Sequence, residues 1–274
     1  MSTNPVAAPT SPFTREGREF GVAFLIMLLL IGVAPFVAYP FFVMQALCFA
    51  LFACAFNLLI GYVGLLSFGH AMFLGSASYV CAHAAKVWGF EPELAILVGV
   101  GCSAFLGLIA GALSIRSQGI YFAMITVALS QMIYFFCVEA PSTHGEDGIQ
   151  AVPQGYVLGV IDLSKPTALY LFTAAIFLFG FLAVYRTVNS PFGEILKAIR
   201  ENEPRAISLG YRVGRYKLAA FVLSSALAGL AGATKAIVVQ NASLTDVGFA
   251  MSGEVVLMTL LGGMGTLYGP VVGA

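Results

Sequence analysis

Charged residues are scarce in this chain: Asp, Glu, Lys and Arg make up 9% of its 274 residues, against about 25% in soluble domains. There is one tryptophan, there are three histidines, and none of the five cysteines stands in a C-x-x-C pair. Each shortage excludes a class of function. His70, His83 and His144 have no ligand-like spacing, so no metal site is expected. Cys48, Cys54, Cys81, Cys102 and Cys137 all fall inside apolar stretches and read as small packing residues. No Ser/His/Asp set, paired carboxylate or metal cluster marks an enzyme. Nucleic acid is not an expected partner, because the formal net charge is zero and the one group of bases is interleaved with Glu194, Glu201 and Glu203.

What is present in excess is apolar sequence. The hydrophobic set supplies 59% of the residues and the mean hydropathy is +0.93. A run of about 20 apolar residues crosses roughly 30 Å of hydrocarbon, and such runs follow one another almost end to end. The fold class expected is therefore all-α, a polytopic bundle of about eight or more transmembrane helices. The spans read from the runs are 20–39, 41–60, 65–86, 93–113, 119–138, 167–185, 217–239 and 254–273. Residues 1–19 read as a disordered cytoplasmic tail, with Pro5, Pro9 and Pro12 among small and polar residues. No small-residue cleavage pattern follows the first apolar run, so that run is expected to stay as a span. Gly61 to Gly64 mark a tight turn, and part of 57–75 is an alternative place for a broken helix.

Seven of the thirteen Lys and Arg residues lie between Arg186 and Lys217. An inside N-terminus puts this loop and Arg116 in the cytoplasm and the acidic 139–165 loop outside, as the positive-inside rule favours. Small residues recur four apart, as in Ala71/Gly75, Gly107/Gly111, Ser225/Gly229, Ala228/Gly232 and Gly269/Gly273, which allows close helix packing.

The basic loop is patterned. In SPFGEILKAIRENEPRAISLGYRVG, residues 190–214, Phe192, Ile195, Leu196 and Ile199 form one apolar helical stripe, with Glu194, Lys197, Arg200 and Glu201 opposite. Ser190 and Pro191 suit a cap and first turn, Pro204 ends or kinks the helix, and Gly210 stops a second short one. Glu194 with Lys197 and Glu201 with Arg205 have the spacing of helical ion pairs. Two readings fit: an amphipathic helix lying flat on lipid, or a helix that docks a soluble partner. The interspersed glutamates argue for a protein surface.

This segment, with GYVGLLSFGHAMFLGSASY at 61–79, RSQGIYFAMIT at 116–126, THGEDGI at 143–149, YKLAAFVLSSALAGLAGA at 216–233 and SGEVVLMTLLGGMGTLYGPVVGA at 252–274, resembles the M-type permeases of ABC importers for branched-chain amino acids. The resemblance covers nearly the whole chain. It implies a permease domain over 20–274 whose cytoplasmic segment, 186–217, carries a coupling helix for an ATP-binding subunit, with Glu194, Ala198, Arg200, Glu201, Ala206 and Gly210 as the coupling positions. It also implies a sister permease subunit, two ABC ATPase subunits that hold ATP and magnesium, a periplasmic substrate-binding protein, and a bacterial inner membrane. No cofactor is expected on this chain. Relatives of the fold move urea or short amides, and an ion-gradient carrier is the alternative from another class. The family has glycines where Thr143 and His144 stand, and it continues past the position of Ala274, which makes eight spans a lower bound.

The density of glycine at Gly262, Gly263 and Gly265 points to a hinge lining the pathway, with close packing as the plainer account. Asn57, Ser67, His70, Ser76, Ser78, Tyr121, Thr126 and Ser130 are polar groups in apolar runs, of which Ser67, His70 and Thr126 are the foremost pathway candidates. Lys235 and Glu254 lie close to the outer ends of their runs, where snorkelling accounts for them. The outer loop, Glu139 to Lys165, is a candidate docking surface for a binding protein.

Overall fold

Prolines at helix starts and glycines at helix stops divide the apolar sequence into its elements. The computed structural model describes residues 12–274 apart from Gln118, His144, Leu158 and Val160. The helices are α1 (Pro12–Val37), α2 (Pro40–Asn57), α3 (Ala71–Lys86), α4 (Pro92–Ser114), α5 (Ile120–Glu139), α6 (Pro166–Val188), α7 (Pro191–Glu201), α8 (Glu203–Ser208), α9 (Val213–Val239), α10 (Phe249–Gly262) and α11 (Gly269–Gly273). Pro92, Pro166 and Pro191 occupy first-turn positions, where the missing N–H removes no helical bond. Between the helices lie 3-10 turns at Pro141–Thr143, Gly145–Asp147 and Leu244–Asp246 and two short antiparallel pairings, β1 (Ile149–Gln150) with β4 (Asn241–Ala242) and β2 (Tyr156–Val157) with β3 (Ile161–Asp162).

The chain divides into two units, residues 1–43 and 44–274. The first holds α1, whose apolar part is Gly21–Pro35. Helix begins at Pro12, inside the segment read as a tail, and residues 1–11 lie outside the described residues.

Five described segments are long and apolar enough to cross a membrane: Pro40–Val63, α4, α5, α6 and α9. Four of the expected spans differ from this. The run at 20–39 leaves a shorter apolar helix, Gly21–Pro35, within α1. The run at 41–60 does not end in a tight hairpin at 61–64; α2 continues into a π-helical turn, Leu58–Val63, and stops at Gly64 in the left-handed region, φ 78°. The run at 65–86 becomes a non-helical turn over 64–70 followed by the 16 residues of α3. The run at 254–273 is not one span: α10 ends at Gly262, Gly263 and Gly265 take φ 108° and 81°, and α11 packs back on α10. Gly269 and Gly273 meet backbone atoms of Gly262 and Met258 so closely that a Cβ at either would collide.

The core of the second unit is α3, α4 and α9 packed together, and the small residues four apart sit on its seams. A Cβ at Gly107 on α4 would collide with Ser225 on α9, and one at Gly232 on α9 would collide with the Leu74 backbone on α3. Without hydrophobic pressure between helices in lipid, this close approach supplies the dispersion that holds them. Ser103 Oγ adds a 2.6 Å hydrogen bond to the Ser225 carbonyl across the α4/α9 seam.

Candidate functional site

The 190–214 segment folds as its pattern requires. Ser190 caps α7, its Oγ accepting from the Gly193 N–H at 3.4 Å. Leu196 and Ile199 are buried and Ile195 half-buried, while Glu194, Ala198, Arg200 and Glu201 are exposed. Asn202, at φ −155° and ψ 92°, ends α7 and caps α8, its Oδ1 accepting from the Arg205 N–H at 3.0 Å. Pro204 therefore starts a second helix, and Gly210 at φ 89° stops it. Ala206 is packed inside with Ile199 and Val213, so it shapes the segment from within while its exposed neighbours form the surface. Lys197 and Glu194 pair at 2.8 Å as the spacing implied. Glu201 and Arg205 do not share a helix, because the Asn202 break rotates one away from the other. A 2.8 Å ion pair between Glu203 and Lys217 ties α8 to α9.

Arg200 carries the segment's link to the membrane domain. Its guanidinium donates to the Gly61 carbonyl in the π turn. Its stem lies where a Cβ on Gly64 would stand 3.2 Å away, and its Nη1 where a Cβ on Gly265 would stand 3.4 Å away. Asn57, one turn earlier on α2, bridges the same places. Its Nδ2 donates to the Thr266 carbonyl at 2.8 Å, and its Oδ1 accepts from the Gly265 N–H at 2.9 Å. The two interruptions of regular helix, at 58–64 and at 263–268, are thus bonded to each other and to α7. Broken helices free backbone groups that the bilayer leaves unsatisfied, and here Asn57 and Arg200 satisfy part of that need. A cavity of about 450 Å³ lined by Gly61, Tyr62, Lys197, Arg200, Glu201 and Gly265 opens beside the cluster.

Gly262, Gly263 and Gly265 stand at a break in the helix, and Gly265 joins the Arg200 cluster. Ser67, His70 and Thr126 lie elsewhere and are fully buried. Ser67 and His70 sit on the 64–70 turn, which packs on Thr126 of α5 through Gly69. His70 Nε2 lies 3.1 Å from Ser224 Oγ, and its ring is surrounded by those of Phe52, Phe56 and Phe73. In this conformation the three residues form part of the packed bundle interior.

Neither the bridging role of Asn57 nor that of Gly61 as acceptor has a signal in the local sequence. Contrary to the expectation for a lysine near the end of an apolar run, Lys235 does not snorkel; it is buried, its Nζ forms an ion pair with buried Asp246, and it stands 4.9 Å from the centre of the Phe49 ring. The segment 243–248 dips inward to bring Asp246 there, with Val247 against Gly75 of α3. An ion pair this buried persists only because each partner compensates the other's lost hydration.

Residues 39–274 match the family described as "Branched-chain amino acid transport system / permease component". The high-affinity branched-chain amino acid transport system permease proteins LivM of Salmonella typhimurium and Escherichia coli are 26% and 25% identical over 92% of this chain. A probable branched-chain amino acid transport permease protein LivM of Methanocaldococcus jannaschii is 23% identical over 65% of it. The chain spans 65% of the length of the two bacterial relatives and 53% of the archaeal one. No solved structure matches it. With apolar helices long enough to span a bilayer and a family match from residue 39 to residue 274, this multi-pass membrane chain belongs to the permease components of branched-chain amino acid transport systems.

Proposed function

We propose that this chain is a non-catalytic permease subunit of an ATP-driven importer for branched-chain amino acids. It sits in a bacterial inner membrane with its N-terminus in the cytoplasm, where the 186–217 loop and its bases also lie. The observation that carries the reading is the grip of Arg200 on Gly61, next to Gly64 and Gly265. A soluble partner that holds the exposed Glu194, Ala198 and Glu201 face moves α7. Through Arg200, α7 pulls on the two interrupted helices at once. Interrupted helices are where a bundle bends with least loss of hydrogen bonding. ATP and magnesium reside on the partner ATPases, a sister permease completes the path, and a periplasmic binding protein delivers leucine, isoleucine or valine to the outer face.

The mechanism is mechanical. Closure of the ATPase pair displaces α7, and the Arg200 cluster transmits the displacement to the π turn and to the 263–268 break. The bundle then exchanges inward-facing and outward-facing arrangements. Hydrolysis chemistry stays on the partners.

The test is uptake into proteoliposomes holding the complete complex with its binding protein. Wild type is expected to take up leucine only with ATP inside and the binding protein outside. The Arg200→Glu variant is expected to insert and assemble but to transport nothing. Uptake driven by a proton or sodium gradient without ATP overturns the reading, as does full activity in the variant.

A further inference from the structure

We infer that Glu254 faces the water-filled translocation path and offers its carboxylate to the ammonium group of a zwitterionic amino acid; this assignment rests on the permease reading above.

Depth comes first. Ser252 Oγ accepts from the Ala71 N–H at 3.0 Å, which sets α10 against the start of α3. From Ala71 to the outer end of α3 at Lys86 is about 22 Å at about 1.5 Å per residue. In the other direction, Glu254 lies about 12 Å from the end of α10 at Gly262 by the same rise. A glutamate side chain bridges neither distance, so snorkelling does not account for Glu254. Its depth matches that of His70, which faces Ser224 near the middle of α9.

Exposure comes second. Ala250, Glu254, Leu257 and Leu261 are exposed along one face of α10, while Met251, Ser252, Val255 and Thr259 are buried on the other. Among the described residues no cation pairs with Glu254. An ionisable side chain at the centre of a lipid-facing helix costs about 2.5–3.5 kcal/mol on insertion scales, so this face does not look at lipid. The element that precedes α10 favours water over a protein contact. Irregular backbone precedes it at 243–248, where Val247 packs on Gly75 of α3, one turn from Ala71, and unwound backbone at such depth lines cavities in transporters. A carboxylate beside Leu257 and Leu261 matches a ligand with an ammonium group and an aliphatic side chain.

Two readouts test this on the complete complex. In Glu254→Cys made on a Cys102→Ala background, a water-soluble, membrane-impermeant thiol reagent should label the new cysteine well above the Cys102→Ala parent, because Cys102 is half-buried while the native cysteines at 48, 54, 81 and 137 are buried. In Glu254→Gln, leucine uptake at saturating loaded binding protein should fall about tenfold with assembly unchanged, and Glu254→Asp should recover most of the rate. Absence of labelling overturns the placement in water. Wild-type uptake in Glu254→Gln overturns the ammonium contact, and so does loss of the sister subunit on purification, which marks a contact between permeases. If the wild-type complex moves no branched-chain amino acid, the permease reading fails for this substrate while the labelling still decides where Glu254 faces.

Discussion

The two ends of the bundle hold their irregular backbone by opposite means. At the end that carries α7 one exposed cation, Arg200, and one amide, Asn57, reach backbone carbonyls and N–H groups at broken helices. At the far end a buried cation and a buried anion, Lys235 and Asp246, lock the 243–248 dip against α9. A hydrogen bond to an exposed arginine is easily exchanged with water, whereas a buried pair is broken only by stranding a charge. The first arrangement suits a joint that moves and the second a fixed point. Both serve the same need, which is to satisfy polar backbone within an apolar solvent.

The largest effect should come from breaking the fixed point. Asp246→Ala or Lys235→Ala alone is expected to cost about 3–5 kcal/mol, because the remaining charge is buried without a partner. Thermal unfolding in detergent reads it. The double change Lys235→Met with Asp246→Leu should recover most of the loss, and failure to recover would mean that the pair does more than anchor. Next comes the joint. Arg200→Ala should cost about 1.5–3 kcal/mol as a lost charge-assisted bond, yet abolish ATP-driven uptake. If uptake and stability fall in proportion, the two ends do not differ in kind. Gly64→Ala puts a Cβ at φ 78° and 3.2 Å from Arg200 Cγ, a strain of about 1–3 kcal/mol that should slow transport more than it lowers the melting temperature. The smallest effect is Ser190→Ala, about 1 kcal/mol for a lost helix cap, visible as faster amide exchange in the first turn of α7.

Local order was legible in the sequence. The Ile195, Leu196, Ile199 stripe, the Ser190 and Pro191 start and the Gly210 stop all rest on neighbours within one or two turns, and the structure has them. Contacts between distant positions were not legible. Arg200 and Gly61 are 139 residues apart, and nothing in either segment names the other. Lys235 looked like a snorkelling lysine because its partner is in a loop that turns inward, and polar sequence between two apolar runs normally stays in water. A break within 57–75 was legible as an alternative and the structure has it, but its π register at 58–63 was not, because LLIGYV continues the apolar run of α2 and hydropathy carries no record of hydrogen-bond register. The break at 263–268 was half legible: its glycines marked the position, but not the return of α11 along α10.

The π turn at Leu58–Val63 closes on a bond from the Gly64 N–H to the Leu59 carbonyl. It therefore contains one residue more than an α-helix would use for the same turn. That surplus residue is a unit of angular slack, since each residue of an α-helix advances about 100° around the axis. Passing it one turn along the helix leaves the hydrogen-bond count unchanged but swings the Gly61 carbonyl away from where Arg200 finds it. Removing one residue from 58–63 would leave a straight, well-bonded α2 aimed in the wrong direction, a chain that folds and inserts but has lost the alignment between its membrane helices and α7.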